Sequence, residues 1–275
     1  MSARSPQPAF VLHQWSWSET SLILDLFTRE QGRIAVVAKG AKRPYSQLRP
    51  VLMPFQRLLV LTSRPKADEG DCILTLRSAE YAGAGAALPP AQLFSGFYLN
   101  ELLLKLLARG DPHECLFDAY ADTLLALATG QAEDESPLRA FELVLLRETG
   151  VLPALGHSTT TQAPVAPSGG YHLLAEAGLV PAAASDAAIS GAVCLALQSA
   201  LGQHDLPALR ATCLACLPAL KSQLRALLAH HLGSAPLRTR QMMLDVRRLI
   251  EPVSHAFTSA CLPPSPPAAS PFSPP

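Results

Sequence analysis

The chain has 275 residues, 49% of them apolar and 16% charged, with a formal net charge of zero. That balance builds a sizeable core and excludes a disordered polyelectrolyte. The N-terminus MSARSPQPAF lacks the apolar centre of a signal peptide, and no uninterrupted apolar run approaches a membrane span, so a soluble, cytoplasmic protein is expected.

The zero total hides a segregation of charge. Residues 1–80 hold eleven basic and seven acidic side chains, whereas residues 81–275 hold eleven basic and fifteen acidic. The basic excess is concentrated further: Arg33, Lys39, Lys42, Arg43, Arg49, Arg57, Arg64 and Lys66 fall between Gln31 and Lys66 without one Asp or Glu among them. A positive face of this kind fits a polyanion. Six cysteines (Cys72, Cys115, Cys194, Cys213, Cys216, Cys261) are scattered and mostly sit in apolar runs, the pattern of reduced thiols rather than a disulfide framework.

In chain order, residues 1–8 read as loose and Phe10–Leu12 as the start of a strand. Leu22, Leu24 and Leu26 then alternate with Ile23, Asp25 and Phe27, the period of a sheet. Thr28 to Gly32 supplies a hairpin turn, with Gly32 free to take positive φ, and Arg33–Ala38 is the β-branched return strand. A long loop, Lys39–Pro54, separates these from Gln56–Thr62 and Cys72–Leu76. Five short strands around one long loop predict a small barrel over residues 1–82, of the five-stranded oligonucleotide-binding (OB) type; a β-sandwich fragment or an SH3-like barrel has a similar pattern.

Ala82–Pro90 (AGAGAALPP) marks a boundary, after which the hydrophobic period becomes helical and Leu and Ala dominate. The spacing predicts helices from Leu93 towards Gly110, from Asp111-Pro112 to Gly130, and from Leu138 to Thr149 with Gly150 closing it. Gly156–Gly170, rich in Thr, Pro, Ser and Gly, is a loop. Asp186, Asp205 and Ser234 are candidate N-caps of later helices. The fold class expected is thus α+β, a barrel followed by an all-helical domain over 91–255 with a loop insertion near 156–171. Residues 262–275 carry seven prolines and read as a disordered tail.

The loop Lys39-Gly-Ala-Lys-Arg43 is the sharpest candidate site, its cations suited to phosphates and Gly40 to close backbone approach; it lacks the spacing of a phosphate-cradling P-loop. Tyr45 and Phe55 are candidates for stacking on bases. Cys213-x-x-Cys216 supplies only two potential metal ligands and lies in a Leu/Ala-rich helical stretch, so buried thiols are the preferred reading. His230 and His231 suit the dipole of a helix end next to Gly233. Lys221, Arg225, Arg238, Arg240, Arg247 and Arg248 form a second basic cluster, for nucleic acid, an acidic protein tail or solvent. No spacing of a hydrolase, metalloenzyme or nucleotide-binding motif is present, and catalysis is not expected.

Several segments in order resemble the RecO family of bacterial recombination mediators: Ser18-Glu-Thr-Ser21, Gly32-Arg33, Val37-Ala-Lys-Gly-Ala41, Tyr98-Leu-Asn-Glu-Leu-Leu103, Leu116-Phe-Asp-Ala-Tyr120, Arg139-Ala-Phe-Glu-Leu143, Glu148-Thr-Gly150, His231-Leu-Gly233, Pro236-Leu-Arg238 and Thr239-Arg240. The resemblance runs from about Ala9 to Val246. It implies a DNA-binding barrel and a helical domain that bind single- and double-stranded DNA, anneal complementary strands and, with RecR and at times RecF, help RecA replace the single-stranded-DNA-binding protein SSB. It implies no catalysis and a cytoplasmic, nucleoid-associated location. On that basis Arg33, Lys39, Gly40, Lys42, Arg43 and Arg49 are the expected DNA contacts, with Lys221, Arg225, Arg238 and Arg240 a second patch. Arg139 is the expected contact for the acidic C-terminal tail of SSB, and Phe141 lines its pocket. Many members hold zinc through four cysteines in the loop matching His157–Tyr171; this chain has none there, and no cofactor is expected. A protein-only adaptor, whose helical domain binds an acidic partner tail, is the alternative function.

Overall fold

The computed structural model describes residues 5–63, 73–83, 87–130, 134–182, 188–233 and 237–258, with side chains of Arg247 and of residues 250–258 excepted. Cys72, Arg64, Lys66, the caps expected at Asp186 and Ser234, and the Pro-rich tail lie outside the described residues.

Strands β1 (Gln7–Ser16), β2 (Leu22–Thr28), β3 (Gly32–Ala38), β4 (Leu58–Thr62) and β5 (Leu74–Tyr81) close into a barrel in the order β1-β2-β3-β5-β4. All neighbours are antiparallel except β3 and β5, which run parallel. The expected OB-type barrel is therefore present, closed so that no strand edge is left to aggregate. Ala9, Val11, Leu24, Leu26, Ile34, Val36, Leu58, Val60, Leu74 and Leu76 fill its interior.

Alternation along β2 and β3 sends Ile23, Asp25, Phe27, Arg33 and Val37 to the outer face. At one end of the barrel that face is covered. Asp25 and Phe27 are fully buried because helices α2 (Leu93–Leu106) and α3 (Glu114–Thr129) pack over them. Phe10 and Phe27 meet Phe117 and Tyr120 with ring centroids 4.9–6.1 Å apart. A buried polar chain crosses the same contact: Tyr120 donates to Asn100 Oδ1 (2.6 Å), and Asn100 Nδ2 donates to the Leu12 carbonyl (2.9 Å). Gly32 takes φ 63°, and a Cβ there would stand 1.8 Å from the Asp111 carbonyl oxygen, so both the hairpin turn and the approach of the helical domain require glycine.

In the helical domain, α4 (Ser136–Glu148) is buried along its whole length from Ser136 to Leu146. It is enclosed by α3, α6 (Leu206–Ala215) and α7 (Leu217–Leu232), while α5 (Gly191–Gln203) packs on α6. Asp205 caps α6 as expected, accepting from the Ala208 N–H at 3.0 Å. Two elements are additions to the sequence reading. A four-residue helix α1 (Leu48–Val51) lies in the β3–β4 connection. A three-stranded sheet of β6 (Gly170–Leu174), β7 (Gly178–Pro181) and β8 (Ile189–Ser190) lies between α4 and α5, so the domain is helical but not free of strands. Residues from Leu237 onward form a separate contact unit that carries α8 (Arg238–Thr258). Among the described residues no helix is long and apolar enough to cross a membrane.

Candidate nucleic-acid interface

At the end of the barrel away from Asp25, the β3–β4 connection leaves the sheet as two successive turns. Gly40 has φ 72°, and its carbonyl accepts from Arg43 N–H (3.1 Å); the Arg43 carbonyl accepts from Ser46 N–H (3.0 Å). Gly40 thus serves the turn, with the Arg43 side chain lying 3.6 Å from where a Cβ would stand. Lys39, Arg43 and Arg49 are exposed and have no ion-pair partner among the described residues. Lys42 is anchored instead: its N–H donates to the Thr20 carbonyl (3.0 Å) and its Nζ to the Ser18 carbonyl (2.8 Å). Lys42 thereby joins the basic loop to the β1–β2 turn while keeping its charge at the surface.

Arg33 is a correction. Its Nε and Nη2 grip both oxygens of fully buried Asp25 (2.9 and 3.1 Å), and Nη1 donates to the carbonyls of Leu104 (2.6 Å) and Leu107 (3.0 Å) at the end of α2. With its donors employed and its side chain largely buried, it holds the two domains together and has no face for phosphate.

The aromatic candidates divide. Tyr45 is 95% exposed in the second turn of the basic loop. Phe55 is buried and meets Phe97 edge-on at 5.0 Å, so it is a packing residue. Two aromatics missed in the sequence, Trp15 and Trp17, are 42% and 64% exposed at the same barrel end as the loop. The signal available for them was the alternation His-Gln-Trp-Ser-Trp, which leaves two large rings at a strand end with nothing further along the strand to cover them.

Arg139 and Phe141 are also corrections. Both are buried in α4; Phe141 packs on Tyr120 with centroids 6.1 Å apart. Arg139 Nη2 pairs with fully buried Glu142 at 2.8 Å, and Tyr98 donates to the same carboxylate at 2.5 Å. Neither residue lines an open pocket. Burial pushes the Glu142 carboxyl above its ordinary range, against the opposing pull of the Arg139 cation and the Tyr98 hydrogen bond. The native state therefore holds that proton more tightly than the unfolded chain, and stability falls as pH rises from the ordinary carboxylate range through the raised value. Arg139→Ala removes the compensating cation. We expect a loss of about 3 kcal/mol at neutral pH and a steeper fall with rising pH, read by chemical unfolding at several pH values. An unchanged unfolding midpoint together with a specific loss of peptide binding would return Arg139 to the surface.

Of the second basic patch, Lys221 is bridged to Glu135 at 2.6 Å, and Arg225 is exposed on α7. Arg238 and Arg240 begin α8, in the separate unit. Burial raises the thiols of Cys194, to about 11, and of Cys213 and Cys216.

The loop His157–Tyr171, in which the resemblance implied a zinc site for many members, is closed here by hydrogen bonds. Ser158 N–H donates to the Ala163 carbonyl and Val165 N–H to that of Gly156. Thr159 N–H donates to the Leu179 carbonyl, and Thr159 Oγ1 accepts from Leu179 N–H; Tyr171 Oη accepts from Ala166 N–H (2.8 Å). With hydroxyls, amides and the single imidazole of His157, this loop does not offer the four thiolate or imidazole ligands that a structural zinc takes.

A closed five-stranded barrel with OB-type strand order, a helical domain docked on its outer face and an open basic loop at its free end define a two-part protein of the oligonucleotide-binding-fold class. Two family descriptions match in tandem, Recombination protein O N terminal over residues 1–82 and Recombination protein O C terminal over residues 90–241. The chain is 51% identical over 251 residues to the DNA repair protein RecO of Polaromonas naphthalenivorans (strain CJ2), covering 89% of this chain and 98% of that one. It is 50% identical over 267 residues to the DNA repair protein RecO of Acidovorax ebreus (strain TPSY), covering 90% and 100%. The chain belongs to the RecO family of DNA repair proteins.

Proposed function

We propose that the chain binds single- and double-stranded DNA through the open end of the barrel and serves as a mediator of recombinational repair. The observation that carries this reading is the set of exposed cations Lys39, Arg43 and Arg49, which have no ion-pair partner among the described residues, with Lys42 beside them, on an OB-type barrel. Such a set neutralises phosphates and releases counterions, giving affinity that is tolerant of sequence and sensitive to salt. Covering the charge of two complementary strands at once lets them approach and pair, which is annealing without chemistry. Assistance to RecA on SSB-coated single strands, contact with the acidic SSB tail and association with RecR and RecF in the nucleoid belong to the same proposal. The tail contact is left without assigned residues, since Arg139 and Phe141 are internal.

Fluorescence anisotropy of a labelled single-stranded oligonucleotide across a salt series tests the reading. Engagement of three to four cations gives a log–log salt slope of about −2 to −3, with micromolar or tighter binding at low salt. Flat, negligible binding to naked DNA favours the adaptor reading instead.

A further inference from the structure

The chain has two tryptophans, and both stand at the open end of the barrel. Trp15, next to last in β1, lies opposite Ile23, which in turn pairs with Val37, the residue two before Lys39; His13 meets the Trp15 ring edge-on at 4.4 Å. Trp17 begins the β1–β2 turn, where its N–H donates to the Ser21 carbonyl (3.2 Å) and Ser18 Oγ accepts from Ser21 N–H (3.2 Å). Lys42 fastens this turn to the basic loop through the Thr20 and Ser18 carbonyls. Tyr45 lies in the next turn of that loop, and Tyr81 donates to the Pro50 carbonyl further along the same connection. The tethers join into one rim the segments that carry the exposed rings Trp15, Trp17 and Tyr45 and the cations Lys39, Lys42 and Arg43.

Isolated exposed aromatics are ordinary, but three gathered within a cationic rim are a surface built for flat, apolar groups carried on an anionic chain. Unpaired nucleobases on a phosphate backbone are that ligand. Bases inside a duplex are stacked on one another and have no open face to offer. We propose that Trp15, Trp17 and Tyr45 are a base-stacking platform that gives the interface a preference for single strands, which the basic loop by itself does not supply. This rests on the DNA-binding reading above and adds to it the part of DNA that the rim recognises.

Because no tryptophan lies elsewhere, the intrinsic emission of the full chain reports on this rim without a label. The experiment titrates the protein with single-stranded oligodeoxythymidylate of about sixteen nucleotides, a length suited to such barrels, and with a duplex of equal length. Anisotropy of labelled copies is followed in parallel. The platform quenches tryptophan emission in step with single-strand binding and much less with duplex. Trp17→Ala weakens single-strand binding roughly 5- to 100-fold and leaves duplex binding within about twofold, while Trp17→Phe, which keeps a ring, restores most of the affinity. Single-strand binding by anisotropy with unchanged emission overturns the platform and leaves DNA binding standing, as does equal weakening of both ligands by Trp17→Ala. Absence of any anisotropy change with either ligand overturns the DNA-binding reading itself.

Discussion

Arg33→Met unfolds the protein more readily by about 3–5 kcal/mol. Asp25 is fully buried, and the Arg33 guanidinium is its bidentate partner; the substitution leaves that carboxylate inside the protein with, among the described residues, only Arg109, 3.6 Å away and partly exposed. The same change orphans the carbonyls of Leu104 and Leu107, which end α2 and which Arg33 reaches from the barrel. Helix-end carbonyls buried without a donor are costly, and the cation also faces the negative end of the helix dipole. Against a total stability of about 5–15 kcal/mol, this is a large fraction, and for a unit of this size it lowers the melting temperature by roughly 8–15 °C. Calorimetry or chemical unfolding of the purified variant measures it. The double variant Asp25→Leu/Arg33→Met regains most of the loss, because an apolar pair replaces a buried ion pair at little cost; the residue not regained is what the α2 carbonyls contribute. A variant with wild-type unfolding but weakened DNA binding would reverse the assignment and put Arg33 back among the DNA contacts.

Arg33 and Lys39 show what a sequence can reveal about such a site. Both belong to one run of cations with no intervening acid, and charge counting treats them alike. What separates them is the hairpin register, Phe27 opposite Arg33 and Asp25 opposite Ala35, which makes Asp25 and Arg33 diagonal neighbours on the covered face. The lone Asp inside an apolar strand was a readable sign of a buried partner; that the partner sits across a two-domain contact was not, since it depends on which outer face the helices cover. The barrel itself was legible because alternation in Leu22–Phe27 and a β-branched return strand state the period directly. The misplacement of Arg139 and Phe141 has a similar cause. Ser136–Leu146 carries apolar residues around most of its circumference, the signature of a helix enclosed on all sides, yet one Arg and one Glu in it read as surface charges when they are each other's buried partners. The sheet β6–β8 escaped notice because strands of five, four and two residues are too short to show a period.

Reversing two of the exposed cations of the basic loop, Lys39 and Arg43, is expected to have the largest effect on binding. Lys39→Glu/Arg43→Glu lowers affinity for a single-stranded oligonucleotide roughly 100-fold at low salt, each lost charge-assisted phosphate contact counting for about tenfold. It also makes the log–log salt slope shallower by about 1.4, two phosphates at 0.7 each. Lys42 is left unchanged on purpose, since its reversal would remove the Nζ bond to the Ser18 carbonyl that helps shape the rim and confound a fold effect with a charge effect. Lys39 and Arg43 are exposed and have no ion-pair partner among the described residues, so unfolding free energy stays within about 0.5 kcal/mol of wild type. The contrast with Arg33→Met is the sharp part of the argument: two substitutions in one basic run, one lost in stability and the other in salt-dependent binding. Strand annealing falls with the affinity, because it depends on the same neutralised phosphates. If the doubly reversed protein, folded as wild type, binds and anneals with unchanged affinity and an unchanged salt slope, the basic loop is not the DNA interface.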